Sequence, residues 1–246
     1  MIIVTVISLI GSVLIGGALV QLLKSAQNQQ FIKILLAFSG GFLLSLAFIH
    51  FIPELYEHST ASIGLFLLLG FLIQLVLEFF SGGIEHGHVH SHGGKHMIPF
   101  GVILALGIHA LFEGMPLGNQ LAGGDIATSH HHHHEDDFSL LLGLVFHRIP
   151  VAIALMTLLH ERGLKPSLSW LILIAFAVIS PIGMAVGYYG HNVLEGFNLD
   201  IVLAIVVGMF LHISTTIIFE TSENHKFNFI KLLSILFGFG LAYLLH

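Results

Sequence analysis

Residues 97–118 read Met97-Ile98-Pro99-Phe100-Gly101-Val102-Ile103-Leu104-Ala105-Leu106-Gly107-Ile108-His109-Ala110-Leu111-Phe112-Glu113-Gly114-Met115-Pro116-Leu117-Gly118. The run is long enough to cross a bilayer, which takes about 20 apolar residues. Yet it carries an imidazole, a carboxylate and a proline. Runs of the same kind fall at 1–23, 31–53, 61–80, 138–159, 168–190, 199–220 and 227–245. Each predicts a helix, because in lipid a helix satisfies its own backbone groups. The first is expected to be a retained span, with no basic residue ahead of it and no small-residue cleavage site. The whole chain, 1–246, therefore reads as one transmembrane domain. Its fold class is all-α integral membrane: an eight-transmembrane-helix bundle with broken helices around a midplane metal site.

Composition agrees. Of the 246 residues 55% are hydrophobic and 9% charged, against about 25% charged in soluble domains. The mean hydropathy is +0.94. A soluble enzyme, a disordered chain and a nucleic-acid binder are excluded. Eight Lys and Arg against fourteen Asp and Glu offer no basic patch to phosphates. The partner implied by composition is the lipid bilayer. There is no cysteine, so thiolate metal sites are excluded.

Orientation follows from the basic residues. Lys24, Lys33, Lys95, Arg162, Lys165, Lys226 and Lys231 sit in or beside alternate loops. The other loops carry Glu54, Glu57, Asp125, Glu135, Asp136, Asp137, Glu195 and Asp200 without a single Lys or Arg. The expectation is a multi-pass protein of the cell (inner or plasma) membrane with both termini outside. Two loops are rich in histidine. The cytoplasmic one, 81–97, holds His86, His88, His90, His92 and His96; the external one, 119–137, holds His130, His131, His132, His133 and His134 with Asp136. Such tracts gather metal without fixed ligand geometry.

Ionisable groups at membrane depth cost several kcal/mol, roughly +2.5 to +3.5 on insertion scales, and default to functional candidates. His109 and Glu113 share a helix face at i,i+4, and together can grip a borderline divalent cation. In the fifth span His147 and Arg148 precede Pro150. Arg148 needs an anion, and Glu113 is the candidate. His50 and Glu54 at the outer end of the second span suggest an entrance site. His212, Thr216 and Glu220 form a polar stripe in the seventh span, and Gly183 and Gly187 a small-residue pair in the sixth. Small-residue faces also permit a homodimer.

This pattern resembles the ZIP (Zrt/Irt-like) family of divalent metal transporters, in a prokaryotic form. His109-Ala110-Leu111-Phe112-Glu113-Gly114 is similar to the family's His-Asn-x-x-Asp/Glu-Gly, and His147-Arg148-Ile149-Pro150 to the start of His-Glu-x-Pro-His-Glu. His50-Phe51-Ile52-Pro53-Glu54 resembles His-x-x-Pro-Glu, and Ser180-Pro181-Ile182-Gly183 resembles Glu-Pro-x-Gly. The resemblance implies a transport site made of His109, Glu113 and His147, with His50, Glu54, His212 and Glu220 as entrance or auxiliary groups. It implies uptake into the cytoplasm. The family's second metal position is degraded here: Ala110, Arg148, Val151 and Ser180 replace its ligands. A single-metal site is expected, with the Arg148 guanidinium in place of the second ion. Zn2+ is the expected substrate, with Fe2+, Mn2+, Cd2+ and Ni2+ as alternatives. The competing readings are an intramembrane zinc-dependent hydrolase built on His109, His147 and His212, and a metal sensor that has lost transport.

Overall fold

The structure, a computed structural model, describes residues 1–22, 29–58, 62–84, 97–122, 139–193, 199–219 and 229–245. Among them there is no strand. The helices are α1 (Ile2–Leu22), α2 (Gln29–Leu46), α3 (Ile52–His58), α4 (Ile63–Ser81), α5 (Phe100–Leu121), α6 (Ser139–Glu161), α7 (Pro166–Val193), α8 (Leu199–Phe219) and α9 (Phe229–Leu244). A π turn at Ala47–Phe51 joins α2 to α3 in one rod. Seven rods are long and apolar enough to cross a membrane, and α9 is a shorter apolar helix. The eight expected spans therefore coincide with eight apolar rods.

Local chemistry sets several ends. Gly82 closes α4 at φ 63°, its N–H donating to the Glu78 carbonyl; only glycine takes that left-handed cap without a Cβ penalty. Pro166 opens α7, where its missing N–H costs no bond. The mid-span prolines lie inside helices. α5, α6 and α7 run on through Pro116, Pro150 and Pro181. Each proline forfeits one ladder bond, which packed neighbours in a bundle tolerate. The irregular segment is the π turn ahead of Pro53, where the Ile52 N–H reaches back to the Ala47 carbonyl.

The helices sort into two groups by how they pack. α5 lies along α7, and α1 along α6 and α7; α9 lies along α2, and α4 along α8, with α2 also against α8. Within groups the backbones nearly touch. A Cβ on Gly118 would lie 1.9 Å from the Met184 carbonyl oxygen, and one on Gly183 2.0 Å from that of Leu111. Across the α4–α8 contact a Cβ on Gly70 would lie 1.9 Å from the Ile205 oxygen. Between groups, α6 meets α2 through side chains, as where Gly143 faces Leu43 and Leu46. α6 is innermost, with Val151 to Leu159 buried without interruption. α4 turns Leu65, Leu68, Leu72 and Phe79 outward, an apolar face suited to lipid.

Candidate metal centre

α5 supplies His109 and Glu113 one turn apart, and α6 brings His147 against them. His109 Nε2 stands 2.7 Å from Glu113 Oε1, and His147 Nε2 3.8 Å from the same oxygen. One ligand atom from each residue lies within 4.8 Å of the others. The imidazoles are edge to face, ring centroids 6.0 Å apart. The three side chains are 3%, 2% and 1% exposed. Among the described residues this is the one grouping of three or more His, Asp or Glu placed to hold an ion. Two neutral nitrogens and a carboxylate oxygen make a donor set suited to zinc, with a fourth position open.

Arg148 lies against the far side of the same carboxylate, Nε 3.8 Å from Glu113 Oε2. Its Cζ sits 5.5 Å from the centre of the Phe176 ring. The anion expected for Arg148 is thus Glu113. Ala110, Val151 and Ser180 are all buried. The first two offer no donor and the third one hydroxyl, which leaves the guanidinium as the cation on that flank.

The remaining candidates lie elsewhere. His50 Nε2 is 3.8 Å from Glu54 Oε2, with the π turn delivering the histidine and α3 the acid. His212 is not part of the His109 cluster. Its Nε2 pairs with Glu78 Oε2 at 2.5 Å across α8 and α4, and its ring lies edge-on to Phe71 at 4.6 Å. Phe71, His212, Thr215, Thr216 and Phe219 line a cavity of about 570 Å³. Glu78 was not among the predicted site residues. Its signal was a carboxylate four residues after Gln74 on one face of an apolar run, but nothing local names a partner 134 positions away. Glu220, His86, His88, His90, His92, His96, His130 to His134 and Asp136 lie outside the described residues.

Replacing His212 with alanine removes the imidazole that faces the half-buried Glu78 carboxylate. The folded protein should lose about 1–3 kcal/mol, while metal affinity at the His109 cluster stays within about twofold, since changes at independent sites add. Thermal unfolding and metal titration of the same preparation check both halves. A parallel loss of metal affinity would join the two clusters into one site.

Fold and cluster together define a multi-pass α-helical membrane protein with a buried His–Glu–His group between α5 and α6. A family model described as ZIP Zinc transporter matches residues 85–246, and the chain belongs to that family. Among its relatives, Protein zntD of Dictyostelium discoideum is 29% identical over 174 residues, covering 65% of this chain and 24% of that protein. Zinc transporter ZIP1 of Danio rerio is 23% identical over 164 residues, 65% of this chain and 51% of the relative. Zinc transporter SLC39A7 of Mus musculus is 34% identical over 88 residues, 28% of this chain and 18% of the relative. The matched segments thus span about a quarter and about half of the first two relatives.

Proposed function

We propose that the protein moves divalent metal ions across the membrane into the cytoplasm, zinc foremost, with Fe2+, Mn2+, Cd2+ and Ni2+ as lesser substrates. The observation that carries this reading is the buried cluster of His109, Glu113 and His147, set in helices of a chain whose relatives include named zinc transporters. The external His130–His134 tract with Asp136 raises the local cation concentration. His50 and Glu54 receive the ion near the outer surface, and His109, Glu113 and His147 bind it after partial dehydration. The ion leaves toward His86–His96. Backbone contacts tighter within each helix set than between the sets suit a movement of one set against the other. In this reading both termini lie outside and the protein sits in the cell's inner or plasma membrane.

One ion binds per chain, because Arg148 occupies the flank of Glu113 that a second ion would need. The hydrolase reading loses its third ligand, since His212 pairs with Glu78 instead. The sensor reading rests on the same degraded flank and predicts binding without flux.

The test is Zn2+ and Cd2+ flux into proteoliposomes, for the wild type and for His109→Ala with Glu113→Ala. Wild-type flux that vanishes in the double variant, with one bound ion per chain, is the expected result. Ligand histidines must be neutral to bind, so metal affinity should fall as the medium is acidified. Tight binding without flux would select the sensor.

A further inference from the structure

Arg148 is 1% exposed, yet none of its guanidinium nitrogens has a hydrogen-bond acceptor. Its neighbours are Glu113 at 3.8 Å and the face of Phe176, neither of which accepts the N–H groups. Ser180 stands one turn beyond Phe176 on α7. It is fully buried, and its hydroxyl is likewise without a partner. Its backbone carbonyl abuts Gly114, next to Glu113. Buried donors are normally satisfied, so a cation and a hydroxyl left unsatisfied beside a metal cluster call for an acceptor.

The charges point the same way. Glu113 and Arg148 cancel before any metal arrives, and the imidazoles must be neutral to bind. A divalent cation would then bring both its charges uncompensated to membrane depth, where unpaired charge is costly. It would also have three protein ligands and an open fourth position. A small anion at that position would lower the net charge, complete the coordination and accept from the guanidinium.

The geometry points to a paired cargo: the metal ion binds together with a small monovalent inorganic anion, chloride or hydroxide, held to the metal's open position by Arg148 with Ser180 at its side. Hydroxide forms from water with release of its proton to the medium; chloride enters as such. The inference rests on the metal-centre reading above and extends it to the counter-ion.

Co2+, whose visible absorption reports its coordination, is titrated into the full-length protein in lipid nanodiscs above the histidine range. Chloride is compared with methanesulfonate, a weakly coordinating anion, at equal ionic strength. Binding about tenfold tighter in chloride, with a shifted absorption band, is expected if chloride is the partner. If hydroxide is, affinity is the same in both media but about one proton appears per ion bound, read by calorimetry in buffers of different ionisation enthalpy. Arg148→Gln removes whichever dependence the wild type shows. Arg148→Lys keeps part of the dependence. Should Arg148→Gln fail to fold, the wild type and Arg148→Lys decide. Equal affinity in both media with no proton released overturns the paired cargo alone. No Co2+ binding in any medium overturns the metal centre with it.

Discussion

Glu113→Ala is expected to abolish metal binding and, separately, to destabilise the folded protein by about 3–5 kcal/mol. Two roles meet in one side chain. Oε1 faces both histidine nitrogens, and Oε2 faces Arg148. Truncation removes the only anionic ligand of the cluster and strands a guanidinium that is 1% exposed. Removing one member of a buried ion pair costs far more than replacing both with apolar groups. The double variant Glu113→Ala with Arg148→Met should therefore recover most of the lost stability and none of the metal binding. Thermal unfolding and Zn2+ titration of the two variants separate the roles. A Glu113→Ala protein as stable as the wild type would show that Arg148 draws its compensation from elsewhere.

The second large effect belongs to the α5–α7 crossing. Gly118→Ala places a methyl carbon 1.9 Å from the Met184 carbonyl oxygen. The neighbour is backbone and cannot rotate away, so the helices must separate. The same crossing is locked from the other side by Gly183 and Gly187, whose Cβ atoms would each lie 2.0 Å from a carbonyl of α5. Small residues let membrane helices approach this closely. Overpacking here should cost about 3 kcal/mol, read as loss of folded protein in detergent extraction and thermal unfolding. Gly11→Ala and Gly240→Ala are the controls. Nothing lies within 4 Å of a Cβ at either position, and alanine should stabilise these helices by up to about 1 kcal/mol. A Gly118→Ala protein as stable as those controls would contradict the packing described.

Most of the architecture was legible because bilayer crossing imposes length and hydropathy on each segment independently. The i,i+4 pairs His109–Glu113 and His50–Glu54 were legible for a similar reason: a helix fixes such neighbours by its pitch. The approach of His147 to Glu113 came from family resemblance, since no local rule relates α5 to α6. The His212–Glu78 pair is the counterexample. The seventh span offered Thr216 and Glu220 as companions for His212 on its own helix, whereas the bundle supplies an acid from α4. Glycines show the same limit. Gly183 and Gly187 read as a close-approach pair, but their answering glycines on α5, Gly114 and Gly118, become meaningful only once the two helices are known to pair.

The π turn at Ala47–Phe51 has a consequence for direction. An α-helix turns about 100° per residue, and a π turn inserts an extra residue into that rotation. The part of the second rod beyond Phe51 is therefore re-aimed relative to the part before Ala47. A face counted forward from α2 at a regular period no longer points the same way beyond Phe51. Phe48, 60% exposed, marks the azimuth on the outward side of the turn, while Phe51 and Leu55, each 2% exposed, mark the inward side that Glu54 shares. Removing one residue from the turn would restore regular pitch and swing His50 and Glu54 apart from the wall they occupy. Where the Glu54 carboxylate points is thus set by chain length at one place in the rod, independently of which residues fill it.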